Sequence, residues 1–265
     1  MTSIKILISR SDKASINYSY KFAKKSSLTD LQPIRFFKQI IREVAKGNIS
    51  AVSYIKFYKR WASALQPGSN SVADEQPWIT FPAIDLLKGY INTGTKVFEY
   101  GGGGSTLFFV NRAKVVITVE HDRTWFNALQ TVIDNKKIAN WQGNLIEPEA
   151  VSLIAPLDAA DPDHYYTGDK VFMKNTFKMY ATAIDQYADD YFDIVLVDGR
   201  SRPSCIKHSL PKIKKGGLLV LDNADRKYYL EKTKTALSEF ELALDQFAPA
   251  PYTDFFTQTN IWIKK

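Results

Sequence analysis

The sequence predicts an α/β domain with a mostly parallel sheet, helices on both faces and an antiparallel last strand, preceded by a basic helical arm. Three observations lead there. From residue 96 onward, short apolar and β-branched runs alternate with helical segments. Four consecutive glycines, Gly101–Gly104, follow the first such run where a strand turns into a helix. Charge also divides along the chain: residues 1–70 hold 13 Lys+Arg against 3 Asp+Glu, and the remainder holds 22 against 25. The net charge of +7 therefore belongs to the arm, and a nucleic-acid groove lined by the mildly acidic main domain is disfavoured.

The arm, residues 1–75, opens on a polar, basic stretch without a clear period. A helix then starts at Pro33. Ile34, Phe37, Ile41 and Val44 share one of its faces, and Gly47 stops it. A second amphipathic helix, "ISAVSYIKFYKRWASAL", ends at the linker "QPGSNS". Both helices pack on the body or on a second copy of the chain in a homo-oligomer, or they meet an anionic membrane surface.

The main domain, residues 76–265, begins with the strand "KVFEY" and the helix "STLFFVNR". The strand "KVVITVE" and the helix "RTWFNALQTVIDN" follow. "NLIEP" or "AVSLI" supplies a third strand, "TFKMYATAIDQYAD" a helix, "FDIVLVD" a fourth strand and "GGLLVLD" a fifth. "KTKTALSEFELAL" reads as a helix, and "TDFFTQTNIWIKK" alternates like a final antiparallel strand. No apolar run approaches the roughly 20 residues that span a bilayer, and a cytoplasmic location is expected. Cys205 stands alone, which excludes an internal disulfide, and His121, His164 and His208 are too scattered for zinc-type spacing.

Glycine permits positive φ and close approach to the backbone, and a helix opening at Ser105 and Thr106 directs N–H groups at an anionic ligand. A nucleotide-like cofactor is expected there. The dinucleotide fingerprint GxGxxG fails in both frames, because its third glycine falls on Thr106 or Leu107. The residues that fit are Glu99, Gly101, Gly103 and Ser105, in an E-x-G-x-G-x-S pattern. This resembles motif I of the class I S-adenosylmethionine-dependent methyltransferases. The resemblance covers roughly residues 76–265 and implies their Rossmann-like methyltransferase sheet, with Glu99, Gly101, Gly102, Gly103 and Ser105 at the cofactor. It also implies that Glu120, 21 residues after Glu99 at the end of the second strand, holds the ribose diol, with His121 beside the cofactor.

Asp198 ends the fourth strand, and Asp222 and Asn223 end the fifth. Oxygen ligands gathered on one rim suit a hard cation such as Mg²⁺. The set resembles the metal site of cation-dependent O-methyltransferases, which implies a metal-assisted transfer to a small-molecule or glycan-type hydroxyl. The chain departs from that class in offering Arg200 and Arg202 where the catechol-type enzymes carry a lysine base. Arginine stays protonated, so the two are expected to bind an anionic acceptor group. Asp198 is the alternative base in a metal-free mechanism. Trp78, Tyr165 and Tyr166 are candidates to fold over the cofactor or acceptor, or to pack. Two other functions stay open: an NAD(P)-dependent oxidoreductase, despite the glycine register, and a non-catalytic cofactor-binding module docking through its basic arm.

Overall fold

The computed structural model describes residues 32–152 and 157–265. The polar opening stretch of the arm and part of "AVSLI" lie outside them.

The arm contributes α1 (Gln32–Ala45), a 3-10 run (Ile49–Phe57) and α2 (Tyr58–Ala64). In α1 the face turned to the core is Phe36, Ile40 and Glu43, not the expected one: Ile34, Phe37 and Ile41 are exposed, and only Val44 of that set packs inward. The second helix also changes character. Its first nine residues follow the 3-10 period of three, which places Ala51, Tyr54 and Phe57 inward and Ile49, Val52 and Ile55 outward. Trp61 of α2 anchors the arm by donating from Nε1 to the Thr253 carbonyl at 2.9 Å.

The main domain follows as α3 (Phe81–Tyr90), β1 (Lys96–Tyr100), α4 (Gly104–Val110), β2 (Val115–Glu120), α5 (Arg123–Asn135) and β3 (Trp141–Leu145). After it come α6 (Lys178–Thr182), β4 (Phe192–Val197), α7 (Arg202–Ser209), β5 (Ile213–Leu221), α8 (Tyr228–Glu231), β6 (Phe240–Leu244) and β7 (Asn260–Lys264). Three expectations need correction. The third strand begins at Trp141 and takes only its end from "NLIEP"; the helix before β4 is one and a half turns, continued by a 3-10 turn; and "FELAL" is a strand, because β7 pairs with it.

The seven strands lie in the order β3-β2-β1-β4-β5-β7-β6. Neighbours pair in parallel from β3 through β5, and β7 runs antiparallel to both β5 and β6. Alternate residues along each strand feed two cores. Val97, Val116, Ile194 and Val220 meet α3, α4 and the arm's Phe36, Tyr54 and Trp61 on one face. Phe98, Tyr100, Val119, Val195 and Leu221 meet α6, α7 and α8 on the other. Because burial on both faces favours apolar residues at successive positions, β4 is apolar from Ile194 to Val197 and β5 from Leu218 to Leu221, while β1 is interrupted by the buried Glu99.

Candidate functional site

The strand order reverses beside β1: the chain runs from β1 out through β2 to β3, then returns to place β4 on the other side of β1. In open α/β sheets the crevice beyond the carboxyl ends of such strands is where ligands bind. Three segments meet there: the glycines after β1, Glu120–Asp122 after β2, and Asp198–Ser201 after β4.

The glycine loop is shaped first by the chain itself. Gly101 has φ +89°, and a Cβ on it would lie 3.1 Å from the Gly199 Cα. A Cβ on Gly102 would come within 2.7 Å of the Thr118 methyl and 2.9 Å of Leu129. One on Gly104 would overlap the carbonyl oxygens of Ser71 and Gln76. Only Gly103 has room, with the Trp125 ring 3.4 Å away. The loop's own amides are also engaged: Gly101 donates to the Val119 carbonyl, Gly102 to Glu120 Oε2 and Gly103 to Thr106 Oγ1.

Beneath the loop Glu99 is fully buried and accepts from three hydroxyls: Ser105 at 2.8 Å, Thr118 at 2.7 Å, and Thr106. The Trp141 indole donates in turn to Thr118. Burial pushes the Glu99 carboxyl up to about 7 against the pull of these donors. Glu99 and Ser105 therefore hold the start of α4 from below, and neither side chain faces the crevice.

Glu120 stands differently. Its Oε1 accepts from the amides of His121 and Asp122 and lies 2.7 Å from His121 Nδ1, while Oε2 accepts from Gly102 N–H at 3.1 Å. Burial raises the carboxyl's pKa, but the His121 contact and the backbone donors outweigh it, so the net displacement is downward and the group stays ionised. On its far side His121 Nε2 accepts from Arg200 Nε at 3.3 Å, and Arg200 reaches on to Asp169. A cavity of about 490 Å³ opens here, lined by His121–Thr124, Glu147, Pro148 and Phe172.

At the third segment Arg202 is buried between the two acids. It donates to Asp198 Oδ1 at 2.9 Å, to the carbonyls of Asp198 and Gly199, and to the Asp222 carbonyl. Asp222 is buried and accepts from Thr259 Oγ1 at 2.8 Å. Burial and the neighbouring Asp198 push it up to about 8. Burial likewise raises Asp198, opposed by Arg202. Asn223 adopts φ +49° and sends its amide toward Thr257, not toward Asp198.

A parallel sheet ordered 3-2-1-4-5-7-6 with an antiparallel seventh strand, a glycine loop after the first strand and an acid at the end of the second identify the architecture. It is the class I S-adenosylmethionine-dependent methyltransferase fold. No protein-family model and no curated protein matches the sequence. Among solved structures, a Streptococcus mutans protein in complex with SAH is 14% identical with TM-score 0.47, covering 68% of this chain and 94% of the other. An rRNA methylase from Streptococcus thermophilus is 14% identical with TM-score 0.43, covering 68% and 92%. Aeropyrum pernix fibrillarin with natively bound S-adenosyl-L-methionine is 13% identical with TM-score 0.43, covering 67% and 72%. These likenesses are distant; the strand order carries the assignment.

Within the methyltransferase fold the site residues separate into two groups. Gly101–Gly103, Glu120, His121, Asp198 and Arg200 converge on the crevice. Glu99 and Ser105 support it from inside. The metal set Asp198, Asp222 and Asn223 does not fit a cation: the Arg202 guanidinium pairs with Asp198, the Asp222 carboxyl is buried and accepts from Thr259, and Asn223 turns its amide toward Thr257. Among the described residues no group of three or more His, Cys, Asp or Glu is placed to hold a metal ion. Arg202 is likewise corrected as an acceptor-binding residue, since all its contacts are internal. Trp78 packs on Tyr252, and Tyr165 bonds His208 at 3.2 Å.

Two residues at the crevice carried no motif. Trp125 caps the loop by donating from Nε1 to the Gly102 carbonyl at 2.7 Å; its place in the first turn after Glu120 was the available signal. Tyr180 points a fully buried hydroxyl without a hydrogen-bond partner at Gly199. Nothing in the local sequence marks it.

Proposed function

We propose that this chain is an S-adenosylmethionine-dependent methyltransferase acting on an oxygen of a small-molecule or glycan-type acceptor. The observation that carries the proposal is Glu120. It is an ionised carboxylate at the end of β2, with Oε2 held by one backbone amide of the glycine loop, beside the cavity that begins at His121. A carboxylate oxygen has two lone pairs, so Oε2 keeps acceptor capacity for a ribose hydroxyl. Gly101–Gly103 and His121 complete the set of residues that would hold the donor.

When bound, the donor supplies a sulfonium-linked methyl group, so that a carbon–oxygen bond forms as a carbon–sulfur bond breaks. Holding the partners in line supplies much of the acceleration. Asp198 stands at the rim as the group that takes the acceptor's proton. Its pKa is raised, which strengthens it as a base, while Arg202 keeps its charge in place. Arg200, partly exposed between His121 and Asp169, suits a carboxylate or phosphate on the acceptor. No step runs through a metal, because Arg202 already pairs with Asp198 and Asn223 turns toward Thr257. The "DGR" after β4 lacks the (N/D/S)-PP-(Y/F) sequence expected of enzymes that methylate exocyclic amines of nucleic acid.

Calorimetric titration with S-adenosylhomocysteine tests the proposal. Binding is expected without added Mg²⁺, weakened roughly tenfold or more in Glu120→Ala through loss of hydrogen bonds to a charged group, and retained in Asp198→Asn. No binding by the folded protein, or binding of NADH in its place, would overturn it.

A further inference from the structure

The arm exposes what a globular protein usually hides. Ile34, Phe37, Ile41, Ile49, Val52 and Ile55 are each between 40% and 74% exposed. Their placement follows from the two helical periods. Ile34, Phe37 and Ile41 stack at spacings of three and four on α1, while Ile49, Val52 and Ile55 stack at spacings of three on the 3-10 run. The opposite faces of both elements supply Phe36, Ile40, Tyr54 and Phe57 to the core, so both apolar ridges are turned away from it.

Cations border the ridges. Lys38, Arg42, Lys56 and Lys59 are exposed, and the ion pairs among the described residues involve none of them. The other cations near them are engaged: Arg35 with Asp254, Lys46 with Glu43 and Arg60 with Asp85. Glu43 is the sole acid in residues 32–59, and it is buried. Residues 1–31 add six basic and two acidic side chains to the same end of the chain.

We infer that this face of the arm docks on an anionic lipid surface. Aliphatic and aromatic side chains flanked by Lys and Arg are the composition of an interfacial helix, whose apolar groups enter the headgroup boundary while its cations meet anionic lipid. A second copy of the chain is a poorer occupant, because a two-fold contact would set Lys38, Arg42 and Lys56 against their own like charges. A nucleic acid would cover the cations but leave six large apolar side chains against phosphate.

Co-sedimentation of the full chain with phosphatidylcholine vesicles, with and without phosphatidylserine, tests the inference. The protein is expected to partition onto the phosphatidylserine vesicles and to be released by salt. The triple variant Lys38→Glu, Arg42→Glu, Lys56→Glu is expected to lower partitioning about a hundredfold or more, since each cation contributes roughly fivefold. The variant Phe37→Ser, Ile41→Ser, Ile55→Ser is expected to lose it independently, with circular dichroism confirming that both fold. Equal binding to neutral vesicles, or undiminished binding by both variants, would overturn the inference. So would a dimer in ultracentrifugation that the serine variant abolishes, or retention of an oligonucleotide in place of vesicles.

Discussion

Around the glycine loop polar groups are folded inward, and in the arm apolar groups are turned outward. Glu99, Ser105, Thr106, Thr118, Arg202 and Asp222 are all buried toward the carboxyl end of the sheet; the three hydroxyls bond Glu99, Arg202 pairs with Asp198, and Asp222 accepts from Thr259. Ile34, Ile41 and Ile49 are exposed on the arm although the core is one side chain away. Burying a charge costs free energy unless hydrogen bonds offset it, and exposing an aliphatic forfeits the gain from burying it. The site end spends stability on a fixed polar frame beneath a backbone that must not move. The arm gives up stability to keep a surface.

The sharpest way to break this contrast is to fill the space under α4. Gly104→Ala would drive a methyl group into the carbonyl oxygens of Ser71 and Gln76, backbone atoms that cannot swing aside. A loss of about 4 kcal/mol or more, or failure to fold, is expected in urea denaturation. Gly103→Ala meets only the Trp125 ring and is expected to cost less than about 1 kcal/mol. Equal effects at the two positions would show that the loop is not held by its own chain.

Adjacent residues in the arm give the next test. Phe36 is fully buried among Tyr58, Trp61 and Phe256, whereas Phe37 is 40% exposed. Phe36→Ala is expected to cost about 3–5 kcal/mol and Phe37→Ala less than about 1 kcal/mol in the same measurement. A reversed order would restore the face that periodicity alone selects, and would remove the exposed ridge.

That reversal shows what was legible in the sequence. The strands at Lys96–Tyr100, Val115–Glu120 and Phe192–Val197 were legible because burial on both faces makes them mostly apolar or β-branched, interrupted only at Lys96, Glu99, Glu120 and Asp193. The helix α1 was legible in period and illegible in face: Phe36 and Ile40 satisfy the same spacing as Phe37 and Ile41. The choice between them is made by Trp61 and Phe256, distant in sequence. "FELAL" misled for a related reason, since its strand pairing comes from Ile261–Lys264. At the site, acids at strand ends were readable as acids, but their directions were not. Glu99 lies one residue inside β1 and turns into the protein; Glu120 closes β2 and faces the loop. Arg202 was read as an acceptor-binding residue, and its ion pair with Asp198 four residues earlier is set by the turn between β4 and α7.

Glu99 allows a quieter test of the polar frame, one that reads pH and not only stability. Its carboxyl rises from an ordinary 4.5 to about 7 in the folded state, with burial as the cause. Below pH 4.5 the group is protonated in both folded and unfolded chains and costs nothing. As pH climbs from 4.5 toward 7 the unfolded chain releases its proton while the folded one retains it, so stability falls across that window and levels off above it. Glu99→Gln keeps the shape and removes the titration. The stability difference, variant minus wild type, is therefore expected to rise with pH between about 4.5 and 7 by about 3 kcal/mol, and to stay flat on either side. Exposed arm residues such as Ile41 carry no comparable pH signature. A flat difference throughout would mean that the three hydroxyls stabilise the Glu99 carboxylate enough to offset its burial, so that the frame beneath the glycines holds its charge at no cost to folding.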